Sequence, residues 1–218
     1  MTKGKKTSTC LLCDGQTKLF YQSKSKHYYK CENCLALMLD PGDYLNSQEE
    51  KERYETHNND IDDIRYQSFV SPIVESVRAS YGTNHLGLDY GAGTGPVITS
   101  LLEKEGYQLK LYDPYFHYYP ENLLKKYDYI VCCEVIEHFH KPYKEFASLS
   151  NMLKPGGTIF SMTEIYHEGI DFETWYYKND DTHVFFYHKK SLEWIKKEFG
   201  FAHLEIEGRL IKLKKEHL

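Results

Sequence analysis

Leu86-Gly87-Leu88-Asp89-Tyr90-Gly91-Ala92-Gly93-Thr94-Gly95-Pro96 is the stretch from which the fold can be read. Leu86 and Leu88 alternate with smaller neighbours and lead into Asp89, as at the end of a buried strand. Gly91, Gly93 and Gly95 then make a turn where backbone can approach a ligand closely. Pro96 suits the first turn of a helix, and Val97, Ile98, Leu101 and Leu102 give that helix an apolar stripe. Gly106 is placed to end it. Strand, glycine turn and helix form a nucleotide-type site, with a helix N-terminus facing the ligand.

A dinucleotide fingerprint spaces its glycines G-x-G-x-x-G. Here the third glycine comes one residue early, and Pro96 occupies its place. Asp89, two residues before the first glycine, would repel a pyrophosphate but suit a cationic ligand carrying an ammonium and a sulfonium. The stretch resembles motif I of the class I S-adenosylmethionine-dependent methyltransferases. That resemblance implies that Asp89, Tyr90, Gly91, Ala92, Gly93 and Gly95 line a cofactor site.

The 218 residues fit one domain of ordinary size plus a small accessory module. No stretch approaches the ~18 apolar residues of a membrane span, and the N-terminus lacks the apolar segment of a secretory signal. A cytoplasmic protein without a membrane segment is the expectation. Residues 1–40 carry a net charge of +4 and the remainder −9. A basic front on an acidic body suits an anionic partner, or is simply a solvated lysine-rich terminus.

Cys10, Cys13, Cys31 and Cys34 form the pattern C-x2-C-x17-C-x2-C, within the range of a four-cysteine zinc ribbon. Each pair places two thiolates on one tight turn, and together they make a closed tetrahedral site. A closed site is structural. Disulfides are the competing reading, and they are uncommon in a reducing compartment.

Pro41 and Gly42 close the ribbon. Asn46-Ser47 starts a helix through Tyr54, and His57-Asn58-Asn59-Asp60 breaks it. A second amphipathic helix runs from Tyr66 to Tyr81, with Phe69, Ile73, Val74 and Val77 on one side and Gly82 ending it. The two read as a helical bridge that packs on the main domain and covers its ligand, with Tyr54, His57 and Tyr66 within reach.

Tyr107 to Asp113 alternates as a half-buried strand ending in an acid, where doubly wound folds hold ribose hydroxyls. A turn-forming Asp-Pro pair is the other reading of Asp113. Tyr127 to Cys133 is a nearly continuous apolar run, as in a central parallel strand. Glu134-Val135-Ile136-Glu137-His138-Phe139 follows at its carboxyl end, where ligands sit in such sheets. A helix from about Tyr143 to Leu153, a turn at Lys154-Pro155-Gly156-Gly157 and a strand from Thr158 to Met162 come next.

These segments extend the resemblance. Tyr127 to Phe139 is similar to "FDxIvxxEVlEH" and Leu153 to Phe160 to "LkPGGxlx", both of ubiquinone-biosynthesis-type small-molecule methyltransferases. With the cysteine pattern in front, the chain resembles bacterial proteins in which a zinc ribbon precedes a class I methyltransferase domain, some of them deoxysugar C-methyltransferases. The resemblance implies that Asp113, Pro114, Tyr115, Glu134 and Val135 also touch the cofactor. One departure stands out: only fourteen residues separate Asp113 from Asp128. The third strand of the fold is then reduced to a few residues near Tyr115–Tyr119 or missing, and adenine is held by aromatics such as Tyr115 or Phe116.

Residues 164–188 are dense in aromatics, which predicts part of a lid over the substrate, with packing the other reading of most rings individually. Within them, Thr182 to Leu192 resembles the family segment "EHxxYFSxxSL". His183 matches the family histidine, while Thr182 replaces its glutamate. His183 is therefore the candidate general base and His138 its weaker competitor. A helix from Ser191 to Phe199 and antiparallel strands over 201–213 complete the chain.

The predicted architecture is α/β, a doubly wound and mostly parallel sheet, divided as zinc ribbon 1–42, helical bridge 43–82 and methyltransferase domain 83–218. The expected function is methyl transfer from S-adenosylmethionine to a small molecule, a sugar or other metabolite, with a structural zinc. Transfer to RNA or protein through the ribbon is the alternative, and a cofactor-binding protein without transferase activity trails both. No oligomeric state is assigned.

Overall fold

The computed structural model describes residues 9–56 and 59–217. The lysine-rich start and His57, named above, lie outside them. Cys10 and Cys13 open the described chain on a tight turn, followed by the hairpin β1 (Thr17–Gln22) and β2 (His27–Cys31), then Cys34 and β3 (Leu37–Leu39). Asp14 and Leu35, each directly after a Cys-x-x-Cys, take left-handed backbone with φ of 55° and 59°. This is how both turns fold back on their thiols.

The bridge consists of α1 (Ser47–Glu55) and α2 (Ile64–Ser80). The Asn46 side chain and Glu49 make a reciprocal capping box at the start of α1, a signal written directly in the sequence. Val70, Ile73, Val74 and Val77 bury one face of α2. That face packs on a cluster containing Val97, Ile98, Tyr129, Val131 and Phe160.

The main sheet is built from β4 (Leu86–Tyr90), α3 (Val97–Glu103), β5 (Gln108–Tyr112), β6 (Tyr127–Cys133), α4 (Pro142–Met152) and β7 (Leu153–Met162). After β8 (Phe185–Phe186) and α5 (Lys189–Glu198) come β9 (Phe201–Glu207) and β10 (Leu210–Lys215). Its order is β5-β4-β6-β7-β10-β9, parallel through β7 and antiparallel beyond. β6 explains its own composition. Tyr129 and Val131 face α2 and α3, while Ile130 and Cys132 face the opposite cluster with Phe146 and Leu149. A strand covered on both faces reads as a continuous apolar run.

Two open readings are decided. No third strand lies between β5 and β6: residues 114–126 hold an Asp113–His117 bridge and a 3-10 turn at Pro120–Leu124, so β5 is the sheet edge. The aromatic segment is chiefly core rather than lid. Phe172 packs on Tyr21 and Tyr28, and Tyr166 packs on Phe20, so the rings glue ribbon to sheet domain. Large rings gain more from burial between two layers than from covering a wet cleft. The ribbon is also joined by backbone. β8 adds as a fourth strand to β3, and Leu39 N–H donates to the Val184 carbonyl at 2.9 Å.

Candidate functional site

At the carboxyl end of β4, Asp89 is buried, and its Oδ2 accepts the Thr99 hydroxyl at 2.8 Å. Burial pushes its carboxyl up to about 6, since a dry site disfavours the charged form. Gly91 follows with φ of +79°, and a Cβ there would lie 2.5 Å from a Val135 methyl. A side chain at this position would therefore meet Val135 as well as any ligand. A Cβ on Gly95 would stand 1.8 Å from the Asn59 carbonyl. Asn59 thus lies directly on the glycine turn, and only glycine lets it approach so closely.

Asp113 holds three backbone amides: its Oδ2 accepts Gly93 at 3.0 Å, and its Oδ1 accepts Tyr115 at 2.8 Å and Phe116 at 3.0 Å. The turn-forming role is visible in these bonds. Tyr115 in turn donates to Glu50 Oε2 at 3.0 Å, and Glu50 pairs with His140 at 2.7 Å. α1 is clamped in this way over the turn that follows β5.

These elements enclose a cavity of about 860 Å³, within the size range of small-molecule sites. Every residue expected at the cofactor lines it: Asp89, Tyr90, Gly91, Ala92, Gly93, Gly95, Asp113, Pro114, Tyr115, Glu134 and Val135. Tyr54, Tyr66, Phe116, His138 and His183 line it too. Of the Tyr, Phe and Trp rings in segment 164–188, only Tyr176 and Tyr177 reach it.

Glu134, His138, Tyr177, His183 and Arg209, which also line the cavity, belong to a polar cluster. Glu134 takes left-handed backbone with φ of 52°, costly for a residue with a Cβ. Its Oε2 pairs with Arg209, whose other amino group contacts Glu164 Oε1 at 2.7 Å. The Tyr177 hydroxyl donates to the fully buried Glu137 and stands 3.1 Å from Glu134 Oε2. Burial first, and for Glu134 repulsion from Glu137 second, raises both carboxyls well above the usual range. His183 Nδ1 lies 2.7 Å from the Tyr177 carbonyl, His138 Nδ1 lies 2.9 Å from that of Thr182, and the two rings are 4.8 Å apart. Among the described residues, Glu134 Oε1, Glu137 Oε2 and Arg209 Nε are buried without a hydrogen-bond partner.

Sequence reasoning missed Glu137, Tyr177 and Arg209 as a group. Glu137 sat inside a quoted segment, but its partners come from distant positions with no local signal. The backbone explains how they converge: Val184 N–H donates to the Glu137 carbonyl at 3.0 Å. A continuous path therefore runs from β3 of the ribbon through Val184 to the His138 turn.

The four ribbon cysteines form a second candidate site. Cys10 and Cys34 sulfurs are 3.7 Å apart and those of Cys13 and Cys31 3.5 Å. A disulfide would need about 2.05 Å, whereas four thiolates on 2.3 Å zinc bonds are spaced about 3.8 Å. The donor set and spacing therefore fit a closed tetrahedral metal site.

Among the described residues no helix is long and apolar enough to cross a membrane. No curated protein sequence is a match. An O-methyltransferase family protein from Burkholderia thailandensis is similar in fold at 12% identity and TM-score 0.52, covering 77% of this chain and 63% of that one. This chain thus spans less than two thirds of that relative. The 1,6-didemethyltoxoflavin-N1-methyltransferase of Burkholderia thailandensis, solved with S-adenosylhomocysteine, aligns at 13% identity and TM-score 0.55 over 91% of this chain and 99% of its own. The phosphoethanolamine N-methyltransferase 2 of Haemonchus contortus aligns at 18% identity and TM-score 0.54 over 74% and 43%. The family profile described as a methyltransferase domain matches residues 65–206. With the glycine turn, the acid after β5 and the parallel sheet in their places, the chain belongs to that family and is an S-adenosylmethionine-dependent methyltransferase of class I fold.

Proposed function

We propose that the protein methylates a small molecule bound in the cavity lined by the glycine turn, His138 and His183. The observation that carries this reading is the cavity itself: residues of α1 and α2, Asn59 and Tyr177 line it together with the glycine turn. Solved proteins of similar fold hold bound 1,6-didemethyltoxoflavin and phosphomonomethylethanolamine, which supports a small acceptor.

S-adenosylmethionine supplies, when bound, a methyl group on a cationic sulfur that leaves with its electron pair. The chain's own work is then alignment and water exclusion. Asp89 faces the ammonium of the cofactor, Asp113 offers its remaining lone pair to ribose, and Tyr115 with Phe116 flanks adenine. His183 serves the acceptor's proton. The carbonyl of Tyr177 can only accept, so Nδ1 of a neutral His183 carries the hydrogen and Nε2 keeps the lone pair. His138 is held the same way and acts as the lesser partner.

The ribbon cysteines hold a structural zinc, and the ribbon, the bridge and the catalytic domain act as one packed body in the cytoplasm. Methyl-labelled S-adenosylmethionine incubated with separated metabolite, RNA and protein fractions tests the acceptor class. Label in the metabolite fraction alone is expected, and label confined to RNA or protein would reverse the assignment.

A further inference from the structure

Asp180, next after the 3-10 turn Tyr176–Asn179, organises the residues that carry His183. Its Oδ1 accepts the Thr182 amide at 3.0 Å and the Thr182 hydroxyl at 2.6 Å. Its backbone carbonyl accepts the His183 amide at 3.1 Å. The Thr182 carbonyl in turn receives His138 Nδ1–H at 2.9 Å. Both histidines therefore depend on one short turn, closed by one carboxylate. Asp180 Oδ2 reaches outside that turn and pairs with Arg53 of α1 at 2.6 Å. The Asp180 side chain is only 14% exposed, and a charge-assisted bond to a largely buried carboxylate holds more firmly than one between two exposed groups. α1 has a second anchor one turn earlier. Glu50 and Arg53 are three residues apart, so they neighbour each other on the helix surface. Glu50 receives the Tyr115 hydroxyl at 3.0 Å and pairs with His140 at 2.7 Å. Tyr115 is itself held through its amide by Asp113, the acid after β5. Glu50 and Arg53 both line the cavity.

We infer that Asp180 and Arg53 are positioning residues for His183, and that α1 transmits the state of the cofactor side to the His183 turn through them. The inference rests on the cofactor and acceptor placement proposed above. Asp180 and Arg53 act through the turn rather than on the reacting atoms. A ligand seated against Asp113 and Tyr115 steadies Tyr115, and through Glu50 it steadies α1. Arg53 then holds Asp180 in place, so the turn is best ordered when the cofactor side is filled. Such coupling between two sites is reciprocal. The same segment is also held from the ribbon, where Lys26 pairs with Asp181 at 2.7 Å. That contact does not pass through α1, which makes it a control.

Amide hydrogen exchange of the full-length protein, with and without saturating S-adenosylhomocysteine, provides the test. In wild type the ligand should slow exchange of the Thr182 and His183 amides by about fivefold or more. In Arg53→Ala these amides should exchange about tenfold or more faster without ligand, and the response to ligand should disappear. Arg53→Lys keeps the charge and should restore part of the response, while Lys26→Ala should leave it in place. No response in wild type, an equal response in Arg53→Ala, or its loss in Lys26→Ala as well overturns the coupling. Calorimetry on the same samples keeps the methyltransferase reading separate, since ligand affinity in wild type is unaffected by those outcomes. Wild-type protein that does not bind S-adenosylhomocysteine counts against that reading instead. The ligand-free comparison then still decides the positioning role, and unchanged exchange in Arg53→Ala overturns it.

Discussion

The Asp113 carboxylate accepts the Gly93 amide at 3.0 Å, tying the turn after β5 to the glycine turn after β4. Its other oxygen holds Tyr115 and Phe116. A carboxylate offers about four acceptor positions, so roughly one remains for a ribose hydroxyl. Asp113→Ala therefore removes a ligand contact and loosens both turns. S-adenosylhomocysteine affinity measured by calorimetry should drop by ~1–3 kcal/mol. An unchanged affinity would assign Asp113 to turn formation alone.

Asp89 links cofactor binding to pH. Its buried carboxyl is raised to about 6 in the free protein. Below that pH it is neutral, and a ligand ammonium, which stays protonated up to about pH 8, loses its counter-charge. S-adenosylhomocysteine affinity should therefore weaken as pH falls below about 6, by up to roughly tenfold per unit. Titrations between pH 5 and 8 measure this, and Asp89→Asn should flatten the profile. A flat wild-type profile would separate Asp89 from the ammonium.

Metal analysis of purified protein should find zinc bound at the cysteine cluster, lost in Cys31→Ser. The ribbon shares β8 with the sheet domain, so the variant should also melt at a lower temperature. Metal-free wild-type protein with an unchanged melting temperature would remove zinc from the account.

Once an acceptor is in hand, His183→Ala should lower turnover by about 10²–10⁴-fold while S-adenosylhomocysteine affinity stays nearly unchanged. A matched loss of cofactor affinity would mean that the ring's contacts with Tyr177 only hold the segment in place. Unaltered turnover would release His183 from the reaction.

How much of this was legible depends on how local each signal is. Asp89 to Gly95 and Tyr127 to Cys133 are read from neighbours in sequence, because glycine conformations and two-sided burial leave their mark within a few residues. The cysteine spacing and the Asn46–Glu49 capping box are local in the same sense. Phe172 and Trp175 could not be assigned to lid or core from sequence, because an aromatic run looks the same whether it covers a cleft or glues two layers. The Glu137, Tyr177 and Arg209 cluster joins two 3-10 segments and the turn between β9 and β10, so only the fold brings it together. The short segment between Asp113 and Asp128 announced a shortened sheet edge, but its choice between a small strand and none needed the His117 bridge.

Calorimetric titration of S-adenosylhomocysteine into wild-type protein and Gly91→Val tests the central claim most directly. Gly91 has φ of +79° and its Cβ position lies 2.5 Å from Val135, so valine there must displace both the turn and the ligand. The account predicts one binding site per wild-type chain and an affinity loss of at least ~1–3 kcal/mol in the variant. Wild-type protein with no affinity for S-adenosylhomocysteine and tight binding of NAD would contradict it.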